Sequence, residues 1–269
     1  MMLNWIYKKI SRIENISRFE RIWKLAQVDF KKRYYNDKFG IVWAFFNPII
    51  RVMVFYYVFE HVINRTGLGI DNFALFLFSA LIFWMAFVEL IKTSMKIFRS
   101  KGYLIKNLKV NKIDLYLSNA VTSLLGLLFN ITSYMLVATL FGTTFSFDNI
   151  LLLPLLIITI YFIGIGLGMY LSICQIFFND INHLIDIIIL IGFWTSGVIF
   201  PSELILEKFP AIYYINPFIG IFDNLRNILL FDNPINITIL TINMTIAIFI
   251  YIGGFYILNK YYQFAFEKL

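Results

Sequence analysis

Six apolar segments follow one another along the chain, separated by stretches that carry most of its charged residues. Each is close to the roughly 20 residues that a helix needs to cross about 30 Å of hydrocarbon. Helices are expected because they satisfy their backbone hydrogen bonds internally, as lipid requires. The pattern therefore predicts an all-α polytopic membrane protein with one transmembrane domain over residues 1–269. The six predicted transmembrane helices are 41–62, 73–91, 115–141, 150–173, 184–200 and 235–258.

Lysine and arginine lie almost wholly in alternate connections between these spans. Of the 23, ten fall in 1–40, seven in 92–114 and two after the last span. The connections on the opposite side hold only Arg65, Lys208 and Arg226. By the positive-inside rule, both termini and the 92–114 connection are predicted to be cytoplasmic.

Composition supports a membrane location and argues against a soluble globular protein. A hydrophobic content of 60% and a mean hydropathy of +0.77 lie outside the range of soluble globular domains. The net charge of +7 comes from residues beside the spans, where anionic lipid headgroups account for it. We therefore expect membrane lipids, and no nucleic acid, as partners of these cations.

Residues 1–40 carry an amphipathic pattern ahead of the first span. Apolar residues recur there mostly at three- and four-residue steps among lysines and arginines, as in a helix that lies in the headgroup plane. The alternative is a simple orientation signal for the first span. The apolar positions are Ile6, Ile10, Ile13, Phe19, Ile22, Trp23, Ala26 and Phe30.

The 92–114 connection mixes apolar residues into its seven cations. An amphipathic stretch on the cytoplasmic side is typical of a helix that docks on a soluble partner. The alternative is a solvated basic loop that rests on lipid. The predicted coupling residues are Ile97, Phe98, Leu104, Ile105 and Leu108.

The segment 201–234 is assigned to the outer side, yet it is too apolar to extend into water. Its two candidate helices, near 202–209 and 217–230, are too short to cross the bilayer, and Pro210 and Pro217 interrupt the region. A pair of re-entrant helices that dip into the outer leaflet satisfies both facts. A seventh span is disfavoured because it would move the C-terminus outside.

The sequence contains few residues in patterns that suit catalysis. His61 and His183 are far apart and on opposite predicted sides, and no metal-ligand spacing occurs. None of the 14 glycines precedes a lysine, so the chain lacks a P-loop. The glycine run 164–168 lies inside a span, where small residues serve close helix packing. We therefore predict no catalytic, cofactor-binding or metal-binding residue here.

The first span carries the candidates for a polar or aromatic lining. Arg51 is the ionisable residue deepest in a span, so it should face protein or water. Phe55, Tyr56 and Phe59 belong to an aromatic run longer than an interfacial belt requires. Aromatic planes stack on the C–H faces of sugars, which suits a sliding glycan. The alternative is that these rings face lipid or pack against other helices.

Several short motifs resemble one known family. The sequence from Val28 to Tyr35, the run from Phe39 to Trp43, and Asn47-Pro48 resemble the N-terminal signature of ABC-2 type polysaccharide, O-antigen and teichoic-acid export permeases. Three motifs depart from the family pattern, namely Asn179-Asp180 in place of Arg-Asp, Val110-Asn111 in place of Phe-Pro, and Phe264-Ala265-Phe266 in place of Phe-Ala-Asp. Further motifs in the family order are Ser196-Gly197, Pro201, Pro210, Tyr213, Asn216-Pro217, Arg226 and the Tyr261–Ala265 ending.

The resemblance implies a half-transporter in a bacterial cytoplasmic membrane. Two copies of this chain would form a path for a lipid-linked polysaccharide, and two copies of a separate ABC ATPase subunit would bind ATP and magnesium. Spans one and five would line the path, which adds Phe193 and Trp194 to the first-span residues. The alternatives are a permease for a smaller cargo, such as a drug or lipid, and a membrane-embedded glycosyl- or acyltransferase. The implied gate residues are Pro201, Tyr213, Asn216, Pro217 and Arg226.

Overall fold

The computed structural model describes residues 17–34, 39–40, 42–58, 72–108, 110–143, 145, 147–178 and 180–268. Among these residues every regular element is a helix and no strand occurs. In chain order the helices are α1 (Arg18–Tyr34), α2 (Val42–Tyr57), α3 (Phe73–Met95), α4 (Ile97–Leu108), α5 (Lys112–Leu140), α6 (Phe147–Ile150), α7 (Leu153–Phe177), α8 (Ile181–Thr195), α9 (Ser202–Lys208), α10 (Pro210–Ile215), α11 (Pro217–Arg226) and α12 (Ile237–Glu267).

Four helices, α3, α5, α7 and α12, are long and apolar enough to cross a membrane. They correspond to the second, third, fourth and sixth predicted spans, so the chain is a multi-pass membrane protein. The first and fifth predicted spans correspond to α2, with 16 described residues, and α8, with 15. The predicted first span continues beyond residue 58, outside the described part of the chain.

Asparagine side chains begin three of the four long helices. The Asn72 side chain accepts a hydrogen bond from the Leu75 amide at 3.1 Å, and Asn111 and Asn236 cap α5 and α12 in the same way. An asparagine at the N-cap position accepts a hydrogen bond from a backbone amide that the helix itself leaves unpaired. These caps fix where the helices leave the connecting segments.

The core lies around α3, which packs on α5 and α7, while α7 packs most extensively on α12. Glycines permit this close approach, since a Cβ on Gly254 would overlap the Gly166 backbone. A Cβ on Gly166 would lie 2.6 Å from the Ile250 carbonyl oxygen. Gly164 faces Leu90 of α3 in the same manner. The predicted role of the glycine run 164–168 in helix packing is therefore confirmed.

The segment between α8 and α12 folds as three short helices and a π turn, Asn227–Phe231. The sequence predicted two helices; Pro210 begins an additional one, because proline is favoured at a first helical position. The π turn is joined to α5 through Tyr134, whose hydroxyl donates to the Leu229 carbonyl at 2.9 Å. Asn224 accepts from the Asn236 amide at 2.7 Å and so joins α11 to the start of α12.

Candidate functional site

A cavity of about 1050 Å³ lies among α2, α3, α5 and α8, beside the end of α1. We call it the transport cavity, after the path that the resemblance implies. It lies between the helices of the predicted first and fifth spans. Its lining contains Arg33, Trp43, Asn47, Pro48, Arg51, Leu81, Trp84, Met85, Ala86, Val88, Glu89, Lys92, Gly126, Leu127, Asn130, Asp186, Ile189, Leu190 and Phe193.

Charged side chains lie at the end of the cavity formed by the C-terminal part of α3 and the N-terminal part of α8. The Arg33 guanidinium donates to both carboxylate oxygens of Glu89. The Lys92 ammonium lies 2.6 Å from an Asp186 carboxylate oxygen. Both pairs join different helices, so they connect α1 to α3 and α3 to α8. This end of the cavity is polar, and its charges are largely balanced.

The middle of the cavity is aromatic. The Trp84 ring lies 6.3 Å from the Phe193 ring and 5.4 Å from that of Phe218, the latter edge to face. Gly192 leaves room for Trp84, because a Cβ there would lie 3.0 Å from the indole. Phe218 lies on α11 and also contacts Phe87, with ring centroids 4.4 Å apart. The short helix α11 is thus packed directly on the wall of the cavity.

Two of the predicted path residues line this cavity. Arg51 is exposed and its Nε donates to the Asn47 amide oxygen at 3.1 Å, and Phe193 packs on Trp84. Trp194, by contrast, is 48% exposed on a different face of α8 and is absent from the lining. The backbone at Phe55 and Tyr56 is helical, but their side chains, and all of Phe59, lie outside the described residues.

Several lining residues escaped sequence reasoning. They include Trp84, Glu89 and Asp186, which the sequence does not single out as path residues. Their common signal was a polar or amphipathic residue inside or beside an apolar segment, which is costly unless it faces protein or water. Nothing in the sequence indicates which partner each would meet.

The helix ends on the predicted cytoplasmic side are bound together by α1. Asp114 at the start of α5 is fully buried, and its two oxygens accept from Arg18 at 2.8 Å and from Arg21 at 2.6 Å. A buried carboxylate requires such partners, since its charge would otherwise be poorly solvated. Residues 18–34 thus form a helix fixed to the core, in agreement with the amphipathic pattern. Residues 1–16 lie outside the described part.

A second link joins α1 to α4. The Lys101 ammonium pairs with Asp29 and donates to the Asn119 side-chain oxygen at 2.6 Å. Burial lowers the pKa of Lys101 below its usual value, while the charge of Asp29 opposes that shift. The helices α1, α4 and α5 therefore share one polar network on the predicted cytoplasmic side.

The structure corrects the predicted orientation of α4. Ile97, Phe98, Leu104 and Ile105 are at most 4% exposed and pack in the chain's own core, not on a partner surface. An amphipathic helix turns its apolar face toward the nearest apolar surface, and here the membrane helices provide it. The Leu108 side chain lies outside the described part. The exposed positions of α4 are Arg99, Ser100, Tyr103, Lys106 and Asn107.

The predicted gate residues have mainly structural contacts. Asn216 caps α11 by accepting from the Phe218 amide at 3.1 Å, and it donates to the Thr195 carbonyl at the end of α8. Pro201 and Pro217 precede and begin short helices, and Tyr213 contacts Tyr214 edge to face. These residues fix the turns between α8 and α11.

Arg226 is fully enclosed instead of lining an opening. Its Nη2 donates to the Val198 carbonyl at 2.7 Å, and its guanidinium lies 3.5 Å from the centre of the Phe76 ring. The contact with Phe76 is a cation–π interaction that is strengthened by the absence of water. Arg226 therefore joins α11 and the segment before α9 to the start of α3.

Comparison with known proteins identifies the family of this chain. Residues 20–230 match the family described as ABC-2 type transporter. The chain is 25% identical over 248 residues to the O-antigen export system permease protein RfbA of Klebsiella pneumoniae, covering 92% of this chain and 94% of that protein. It is also 21% identical over 193 residues to the polysialic acid transport protein KpsM of Escherichia coli, covering 72% and 74%. The family match extends over most of the chain, from α1 to α11, and so the chain belongs to the ABC-2 type transporter family.

Proposed function

We propose that this chain is the membrane subunit of an ATP-driven exporter that moves a lipid-linked polysaccharide across the bacterial cytoplasmic membrane. The observation that carries the proposal is its similarity, over more than nine-tenths of both chains, to an O-antigen export permease. The similarity to a polysialic acid transport protein points to the same class of cargo. A cavity bordered by charged and aromatic side chains is compatible with a solvated glycan.

In this proposal α2 and α8 complete a set of six spans, with both termini on the cytoplasmic side. The support is the charge distribution, since ten basic residues precede the first span and seven lie in the 92–114 connection. The helices α9, α10 and α11 would then lie at the outer mouth as re-entrant gate helices. Their lengths of 7, 6 and 10 residues are too short to cross a bilayer.

A second copy of the chain would close the path along α2 and α8. Only Ile185 of α8 is buried, and the exposed apolar side chains of that helix include Leu184, Ile188 and Ile191. The helix α2 likewise exposes Phe46, Met53 and other apolar residues. Two copies that join along these helices would place their transport cavities near a shared path. Phe55, Tyr56 and Phe59 stay a prediction for that lining.

ATP hydrolysis would take place in a separate subunit that docks below α4. Because the apolar side of α4 is covered, the contact would use its exposed side, chiefly Arg99, Tyr103 and Lys106. Movement of α4 would reach α1 through Lys101–Asp29 and α3 through Arg33–Glu89. This route leads from the ATPase to the charged end of the transport cavity.

Deletion of the gene in its own host tests the proposal. We expect loss of a surface polysaccharide and accumulation of its lipid-linked form on the cytoplasmic face, both reversed by the wild-type gene. The purified chain alone should not hydrolyse ATP, whereas its complex with the ATPase subunit should. An unchanged cell-surface glycan profile after deletion would exclude a polysaccharide cargo. ATPase activity of the isolated chain would exclude the proposal that a separate subunit hydrolyses ATP.

A further inference from the structure

A second hollow, of about 600 Å³, lies on the predicted cytoplasmic side and is distinct from the transport cavity. We call it the basic pocket. It is enclosed by α1, the C-terminal end of α3, α4 and the first turns of α5. Its lining includes six cations and only two carboxylates, which is a formal excess of four positive charges. The cations are Lys24, Lys32, Arg33, Lys92, Lys96 and Lys101.

The charges of the basic pocket are only partly neutralised. Four of the six cations have a carboxylate partner. Lys101 pairs with Asp29 and Arg33 with Glu89 inside the lining, while Lys24 pairs with Glu20 and Lys92 with Asp186 outside it. Lys32 and Lys96 are exposed, and neither forms an ion pair with any of the residues that the structure describes. These two ammonium groups approach the pocket from α1 and from the junction of α3 and α4. An anion between them would be attracted by both.

The basic pocket adjoins the transport cavity. Arg33, Glu89 and Lys92 line both hollows, so the Arg33–Glu89 pair stands at their boundary. The walls of the pocket belong to helix ends that the charge pattern places at the level of the cytoplasmic headgroups. A group held by Lys32 and Lys96 would therefore lie at the membrane surface and beside the proposed path.

We infer that the basic pocket binds the phosphate group of a lipid headgroup before the attached cargo enters the transport cavity. This inference rests on the proposed function, and it identifies the part of the lipid-linked substrate that the chain first recognises. A phosphate or diphosphate group presents several anionic oxygens, which lysine ammonium groups bind as point charges. The position at headgroup depth allows the lipid tail to stay in the bilayer while the phosphate enters the pocket.

Binding to the full-length chain in phosphatidylcholine nanodiscs tests the inference. Farnesyl diphosphate, dioctanoyl phosphatidylglycerol and inorganic diphosphate would each be titrated by calorimetry. We expect saturable binding of farnesyl diphosphate and an affinity reduced about 30-fold by Lys32→Gln with Lys96→Gln, because each lysine near a lipid phosphate contributes roughly a factor of five. Lys32→Arg with Lys96→Arg keeps both charges and should retain binding.

The matched control is Lys31→Gln with Lys260→Gln, which removes two exposed cations outside the pocket lining. This variant should bind farnesyl diphosphate as the wild type does. An equal loss of affinity in the control, or no saturable binding by the wild type, overturns the site. Stronger binding of farnesyl diphosphate than of phosphatidylglycerol assigns the pocket to a lipid-linked substrate, and the reverse assigns it to membrane phospholipid. Inorganic diphosphate bound as tightly as the lipids overturns the lipid assignment.

Surface glycan, measured in cells that express the same variants, separates this inference from the proposed function. If the wild type exports glycan and the Lys32→Gln, Lys96→Gln variant exports it equally well, the inference fails and the proposed function stands. If the wild type exports no glycan, the proposed function fails, while the titrations still decide whether the pocket binds a lipid phosphate.

Discussion

The helices α3 and α8 are both apolar, yet their surroundings differ sharply. Of the 23 residues of α3, 18 are buried among α5, α7 and α11, whereas α8 buries only Ile185. In lipid an exposed apolar face needs no protein cover, so α8 is free to contact either lipid or a second copy. The comparison suggests that α3, α7 and α12 carry the stability of the chain, while α2 and α8 serve assembly and transport.

The largest effect should come from the contact between α7 and α12. Gly254→Ala places a Cβ onto the Gly166 backbone, which cannot move aside, so we expect a loss of about 3 kcal/mol or more. Gly253→Ala is the matched control, because nothing lies within 4 Å of a Cβ at that position. Membrane levels and thermal stability in detergent measure both variants. Equal stability of the two would show that this contact does not support the core.

Neighbouring residues of α4 give the next comparison. Leu104→Asp puts a carboxylate at a site that is 3% exposed, so we expect the chain's own fold to lose about 3 kcal/mol or more. Tyr103→Asp changes a residue that is 46% exposed and should leave the fold intact while weakening association with the ATPase. Thermal stability of the chain alone and co-purification of the complex separate the two effects. A stable Leu104→Asp chain that lost only its ATPase would restore the orientation predicted from the sequence.

The attachment of α1 should contribute less. Asp114→Asn removes the charge shared by Arg18 and Arg21, and we expect a loss of about 2 kcal/mol, since both arginines stay partly solvated. Glu20→Gln is the control, because its ion pair with Lys24 is exposed and contributes at most about 1 kcal/mol. Protease accessibility of α1 and the thermal midpoint would report the difference. Identical behaviour of the two variants would contradict a structural role for the buried carboxylate.

The sequence predicted the elements of the fold more fully than their contacts. Periodicity and charge were sufficient for the long helices and for α1, since these depend on local composition. Of the three short helices after α8, the sequence predicted only two. The amphipathic pattern of α4 predicted an apolar face but not what covers it, because covering is decided by packing. The Arg33–Glu89 pair joins residues 56 positions apart, and such pairing has no local signal. The lining of the transport cavity was therefore only partly predicted, through Arg51 and Phe193.

The smallest effect on stability, and the most direct test of the transport cavity, concerns two adjacent residues of α8. Phe193 is partly buried against Trp84 and lines the cavity, whereas Trp194 is exposed on another face. Phe193→Ala removes an aromatic contact of about 1 kcal/mol, so the protein level should stay near normal. Export should nevertheless fall, because the cavity wall loses a ring where the cargo would slide.

Trp194→Ala removes an edge-to-face neighbour of Phe193, with ring centroids 5.9 Å apart, but no side chain of the cavity lining. It should therefore change mainly the contact of α8 with lipid or with a second copy. Crosslinking between copies, glycan export and protein level, measured in the same cells, distinguish the two variants. Lost export without lost crosslinking for Phe193→Ala, and the opposite for Trp194→Ala, would assign one face of α8 to the path and the other to assembly. If both variants reduced export and crosslinking alike, the face of α8 that lines the cavity would not be separate from the face that contacts the second copy.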